Sequence, residues 1–182
     1  GLNTNLAVPT RAEVEGMGAG GAPGCPPNKY CVENAGSYKP NMTLKEALAT
    51  SPNTPFIEMA EKLGMERITD IAIKLGLRSY KNEGSFDGEN SVEEYVKDNN
   101  LGSFVLGPTA VDPLELSNVA ASLADHGRWC EPTPVLSVKD RNGEDVEMEK
   151  VDCEQAIDKK IADALANGCL LYTSDAADDS LR

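Results

Sequence analysis

Tyr38-Lys39-Pro40-Asn41-Met42-Thr43-Leu44-Lys45-Glu46-Ala47-Leu48-Ala49-Thr50-Ser51-Pro52-Asn53-Thr54-Pro55-Phe56 contains one helix, a forced stop and the start of a second helix. Thr43 and Glu46 stand at capping-box spacing, where the hydroxyl accepts from a first-turn N–H and the glutamate reaches back to the cap. Leu44, Ala47 and Leu48 then share a face, which predicts a helix starting at Thr43. Pro52 has no N–H and disfavours helical backbone at Ser51, so this helix ends at Ser51-Pro52. Thr54-Pro55 reads as a cap and first-turn proline, with Phe56, Ile57, Ala60 and Leu63 at helical spacing and Gly64 as the stop. A hydroxyl at Ser51 and an amide at Asn53 therefore lie two residues apart in a proline-fixed turn. Both can face one cleft, the hydroxyl passing a proton and the amide binding a carbonyl. Both can equally serve as caps of the second helix.

Downstream, Ile68, Ile71, Ala72 and Leu75 predict the buried stripe of a third helix that Gly76 ends. Residues 79–90 read as loop, and Ser91-Val92-Glu93-Glu94 is a second capping box for a short helix toward Lys97. Leu101 to Leu106 is an apolar connector. Asp112-Pro113 opens a helix with Leu114, Leu116, Val119, Ala120 and Leu123 inward and Gly127 closing it. Residues 135–140 and 144–150 alternate around Arg141-Asn142-Gly143, the pattern of a β-hairpin near 135–150. A last helix is expected over 155–166. The first forty residues read as loop, including the glycine run at 16–24. No Lys-Ser or Lys-Thr follows that run, so it is not a phosphate loop.

Seventeen basic against thirty acidic residues in 182 leave a net charge of −13, which repels nucleic acid and anionic lipid surfaces. No apolar run approaches the roughly 18 to 20 residues of a membrane span, so no membrane segment is expected. Five cysteines suggest two pairs and a stray. Cys25 and Cys31 bracket a turn-forming Pro-Pro-Asn-Lys-Tyr, and Cys130 and Cys153 flank the hairpin, so each pair is a candidate disulfide. Zinc-ligand spacings are missing and His126 is the one histidine, so neither a metal nor any other cofactor is predicted. Disulfides would put the chain outside the cytoplasm. His126 reads as a helix-end cation, Trp129 as packing beside Cys130, and Glu93, Glu94 and Asp98 as a solvated face. Residues 169–182 resemble the translation of a sequencing-library adaptor, expected to be non-native to the domain at 1–168.

In combination, several stretches resemble penicillin-binding protein transpeptidase domains. These are residues 38–56, Ile73-Lys74-Leu75-Gly76-Leu77, Leu101-Gly102-Ser103, Leu106-Gly107-Pro108-Thr109-Ala110-Val111 and Pro113-Leu114-Glu115-Leu116-Ser117-Asn118. Gly24-Cys25-Pro26-Pro27-Asn28 through Tyr30-Cys31-Val32, with Trp129-Cys130, resemble the actinobacterial class A branch. That family uses Ser-x-x-Lys, Ser-x-Asn and Lys-Thr-Gly to pass a peptidoglycan stem ending in D-Ala-D-Ala through an acyl-serine to an acceptor amine. β-Lactams imitate the donor. The resemblance implies that Ser51 shuttles the proton and that Asn53 binds the donor amide and the motif lysine. It also implies an extracytoplasmic place, with a membrane anchor and a glycosyltransferase domain in the intact protein. Ser-x-x-Lys and Lys-Thr-Gly are both missing from these 182 residues, Ser37-Tyr38-Lys39 and Ser137-Val138-Lys139 each being one residue short. The expected fold is α+β, a mostly helical piece of the penicillin-binding protein and serine β-lactamase-like fold with its central sheet largely missing. Such a piece is expected to be marginally stable, to expose apolar surface and to be inactive alone. The rival from another class is a non-catalytic module of the same fold that binds cell-wall peptides or proteins. A further rival is a hydrolase, either a carboxypeptidase or a β-lactamase.

Overall fold

A computed structural model describes residues 1–148 and 152–168. The expected adaptor-like tail at 169–182 and the end of the hairpin at 149–150 lie outside the described residues. The fold is α+β, and no sheet among the described residues has more than three strands.

The N-terminal forty residues are not loop. β1 (Asn5–Ala7) pairs antiparallel with a later strand, Asn41–Thr43. β2 (Arg11–Glu15) pairs antiparallel with Lys29–Glu33, whose other edge takes Gly20–Gly21 in parallel. In chain order these are β3 (Gly20–Gly21), β4 (Lys29–Glu33) and β5 (Asn41–Thr43). The strands are short and set among glycines and prolines, which hides them, yet β2 alternates as a half-buried strand must: Ala12 and Val14 face the core. Within the glycine run, Gly21 has φ +92°, and a Cβ there would collide with the Cys31 carbonyl oxygen. Close approach of β3 to β4 requires glycine at that position.

The helix starts follow the local signals. α1 (Leu44–Thr50) carries the full Thr43–Glu46 capping box, and α4 (Val92–Asp98) carries that of Ser91–Glu94. Between them lie α2 (Thr54–Leu63) and α3 (Met65–Leu75). In α5 (Pro113–Ala124), Asp112 Oδ1 accepts from the N–H groups of Leu114 and Glu115. The main core joins Ala12, Val14 and Val32 of the sheet to Ile57 and Ala60 of α2, Met65 and Ile73 of α3, and Val92 and Val96 of α4.

Several expectations about inward faces are corrected. In α3 the fully buried stripe is Met65, Thr69 and Ile73, while Ile71 is 48% exposed and Ile68 only half-buried. Thr69 fits the core because its hydroxyl donates to the Met65 carbonyl at 2.7 Å, leaving no unpaired polar atom. Leu63 of α2 is 55% exposed, and so is Leu116 of α5, with Leu114 at 61%. Ala120 is exposed as well, and Ser122 is the one fully buried residue of α5. Apolar surface is thus open to solvent on three helices, α2, α3 and α5. Of the acidic face, Glu94 is a cap and Glu93 accepts from Lys97, which also bonds Asp70.

The C-terminal part starts with β6 (Arg128–Trp129). The expected hairpin is present as β7 (Val138–Lys139) against β8 (Asp145–Val146), shorter than its alternation suggested. The expected helix start at 155 is instead β9 (Glu154–Gln155), paired with β6, and the helix spans 159–168. Gln155 is held there because its amide donates to the carbonyls of His126 and Ile157. His126 sits at φ +57° past the end of α5 with Nδ1 2.6 Å from Asp163 Oδ1. The Arg78 guanidinium lies 4.0 Å from the Trp129 ring centroid and also bonds Glu154.

Both expected disulfides are formed, Cys25–Cys31 and Cys130–Cys153, spanning 6 and 23 residues. Closing the longer loop removes more freedom from the unfolded chain. Replacing Cys130 and Cys153 together by serine is expected to lower unfolding free energy by about 3 kcal/mol, against about 2 kcal/mol for Cys25 and Cys31. Urea denaturation of the two double variants checks the order.

Candidate active site

Ser51 is the C-cap of α1, with φ 55° and ψ 49° and its N–H donating to the Ala47 carbonyl at 2.8 Å. Left-handed backbone costs a side-chain-bearing residue about 1–2 kcal/mol, and a following proline normally drives its predecessor toward extended backbone. Ser51 is nevertheless held there. It is exposed, and its hydroxyl takes no hydrogen bond among the described residues, while the next residue, Pro52, is fully buried.

The turn is fixed from outside itself. Asn34, just past β4, turns its side-chain oxygen to two consecutive backbone donors, the N–H of Asn53 at 2.7 Å and of Thr54 at 3.0 Å. Its Nδ2 donates to the Pro9 carbonyl at 3.0 Å and to Thr54 Oγ1 at 3.1 Å. Thr54 Oγ1 in turn donates to Pro9 O at 2.8 Å. Thr54 is therefore the first residue of α2 and fully buried, not its cap. Asn53 holds the cap position with helical φ and ψ and makes no side-chain capping bond. Its Nδ2 instead donates to the Glu33 carbonyl at 3.0 Å. That bond fixes which way the amide faces, because a carbonyl only accepts; Asn53 Oδ1 is left as an acceptor without a partner among the described residues.

Glu33 is itself anchored. It stands opposite Arg11 in the β2–β4 register, and the Arg11 guanidinium donates to its carboxylate at 2.8 Å, to Glu13 at 3.0 Å and to the Pro23 carbonyl at 3.0 Å. Glu33 foremost, then Glu13, raises the Arg11 pKa above its ordinary value. A concavity of about 590 Å³ shares Glu33 and Asn34 with the turn and is otherwise lined by residues including Arg11, Ser37 and Tyr38. At the other end of α1, Glu46 accepts from the backbone N–H of Thr43 at 2.8 Å and from its hydroxyl at 3.0 Å. These bonds hold the Glu46 carboxyl below its usual range. Among the described residues no group of His, Cys, Asp and Glu is arranged to hold a metal ion.

The two residues expected at the site, Ser51 and Asn53, thus lie in one tight turn between α1 and α2. Sequence reasoning missed Asn34, Glu33 and Pro9. The one local signal was an asparagine directly after a strand, which is uninformative until its partner twenty residues away is known. Cys130 and Cys153 lie in the C-terminal part with β6 and β9, while Cys31 lies in β4, three residues before Asn34.

This arrangement of small sheets and helices is shared with solved structures. Penicillin-binding protein A of M. tuberculosis, solved as a penicillin G acyl-enzyme complex, superposes with TM-score 0.66 over 92% of this chain and 38% of that one, at 22% identity. A peptidoglycan synthetase of Bifidobacterium adolescentis gives TM-score 0.64 over 89% of this chain and 28% of that one, at 18% identity. These likenesses define the fold. In sequence, Penicillin-binding protein 1A of Aquifex aeolicus (strain VF5) is 29% identical over 119 residues, 65% of this chain and 14% of that protein. The family model described as penicillin binding protein transpeptidase domain matches residues 24–176. The chain belongs to that family, and it spans about one seventh of its curated relative.

Two outcomes follow from this geometry. Ser51→Gly removes the left-handed penalty and is expected to raise stability by about 1 kcal/mol, read as a higher urea midpoint at unchanged slope. Because the Glu46 pKa is lowered on folding, its contribution is present above the ordinary glutamate value and lost as pH falls through the lowered one. Hydrogen exchange at the first turn of α1 is expected to lose protection over that acidic window, and Glu46→Gln to flatten the dependence.

Proposed function

We propose that the chain supplies the Ser-x-Asn side of the active site of a serine D,D-transpeptidase, with Ser51 as proton relay and Asn53 as the amide that binds donor and motif lysine. One observation carries the reading: an exposed serine hydroxyl held in strained left-handed backbone by contacts from a distant strand. Strain of this kind persists where surrounding structure over-determines it, and it clusters at functional sites.

In this mechanism the nucleophilic serine, supplied from outside these 182 residues, adds to the penultimate carbonyl of a stem ending in D-Ala-D-Ala. Ser51 Oγ passes the nucleophile's proton to the leaving D-alanine amine, and the acyl-serine is then taken by an amine of a neighbouring stem. Asn53 suits its part because its Oδ1, without a partner among the described residues, can accept from a lysine ammonium, while Nδ2 keeps one N–H for a donor carbonyl. A β-lactam enters as a donor mimic and stops at the acyl-enzyme. The acyl-enzyme captured in the mycobacterial relative supports this for the shared fold. Two disulfides support an extracytoplasmic place in the cell envelope. A membrane anchor and a glycosyltransferase domain belong to the intact protein in this reading; no helix among the described residues is long and apolar enough to cross a membrane. Residues 169–182 are adaptor-derived in this reading, and the 182 residues alone neither turn over nor acylate.

In the full-length protein, Ser51→Ala is expected to slow acylation by a fluorescent penicillin roughly 10²- to 10⁴-fold, the range of a lost general acid-base group. Unchanged acylation would overturn the role of Ser51. A full-length protein that takes no label at all would favour a non-catalytic binding module. Product formation that ignores an added acceptor amine would favour a hydrolase.

A further inference from the structure

We propose that Asn34 is a positioning residue of this active site, acting through the Ser51-Pro52-Asn53 turn; the inference rests on the function proposed above. Asn34 is not part of any of the three family motifs. Its side chain nevertheless does what a built-in cap of α2 would otherwise do, and from a different element.

Four bonds define the clamp. The side-chain oxygen holds Asn53 N–H and Thr54 N–H together, and the side-chain nitrogen ties Pro9 O and Thr54 Oγ1. The next residue upstream, Glu33, accepts from Asn53 Nδ2. Two consecutive residues of one strand end thus determine both the backbone direction after Pro52 and the orientation of the Asn53 amide. Without the Asn34 oxygen, the two donors turn to water. The Asn53 side chain, no longer held, can then fold back to cap α2 at Phe56 N–H, since Pro55 has none to offer; that would take its amide away from Glu33 and from the cleft. Ser51 would also be free to relax from left-handed backbone. Both functional groups would then move without any residue that touches substrate being altered. A misplacement of about 1 Å is enough to cost on the order of 10²-fold in rate.

The test is a double-mutant cycle in the full-length protein with a fluorescent penicillin, measuring the acylation rate constant apart from initial binding, at a temperature where circular dichroism shows every variant folded. Asn34→Ala is expected to lower the acylation rate constant about 10- to 100-fold with little change in binding. In the Ser51→Ala background the same change is expected to cost less than about 3-fold, because its effect runs through the group already removed. Asn34→Asp keeps the oxygen that accepts from Asn53 and Thr54 but gives up the donor to Pro9 O and Thr54 Oγ1, so it is expected to recover part of the rate, and it serves if the alanine variant does not fold. Effects that multiply in full would overturn the inference, since they would mark a general structural role. So would an Asn34→Ala protein acylating within 2-fold of the parent while Ser51→Ala is slow, or an aspartate variant no better than alanine. If Ser51→Ala itself acylates normally, the catalytic reading fails first and the positioning role falls with it.

Discussion

One side-chain oxygen, that of Asn34, accepts from two successive backbone N–H groups at the start of α2. The first N–H groups of any helix have no intrahelical acceptor, and here the cap comes from a strand end about twenty residues earlier. A part-buried donor left without a partner costs about 1–3 kcal/mol, so this contact weighs heavily in a domain of this size. It also joins layers. Ile57 and Ala60 of α2 share one core with Ala12 and Val14 of β2, so the start of α2 that Asn34 pairs lies beside that packing. The Arg11–Glu33 pair secures the same strand end from the sheet side, and the Cys25–Cys31 bond ties β4 to the turn before it.

What could be read from the sequence were the features that close within a few residues. Thr43 with Glu46, Ser91 with Glu94, and Asp112 before Pro113 each place donor and acceptor less than one turn apart, so composition alone locates three helix starts. The Ser51-Pro52 stop belongs to the same class, and with it two residues of the candidate site. The strands escaped because two to five residues give alternation little room, and glycine and proline around them read as loop. Thr69 escaped because its polarity counts against burial until its bond to the Met65 carbonyl is known. Asn34 escaped for a related reason, since its value lies wholly in partners at 9, 53 and 54. The apolar positions of α5 were overread in the other direction. Leu114 and Leu116 satisfy a helical stripe in sequence yet face solvent among the described residues, because periodicity states which residues could share a face and not whether anything covers it.

The split of burial across Ser51-Pro52-Asn53-Thr54-Pro55 explains how strain and exposure coexist. Pro52, Thr54 and Pro55 are buried, and Thr54 spends its hydroxyl on Pro9 O, so three of five residues belong to the core. Ser51 and Asn53, the alternate positions, are the ones left to face outward. Two prolines remove two backbone donors that burial would otherwise leave to be satisfied, and the remaining donors of the pair at 53 and 54 go to Asn34. Ser51 N–H goes to Ala47 O. The backbone N–H groups of the turn are thus all paired, while the Ser51 hydroxyl and the Asn53 side-chain oxygen take no partner among the described residues. The left-handed cost at Ser51 is offset by contacts that Ser51 itself does not make, which lets a serine occupy a place that conformational preference alone would give to glycine.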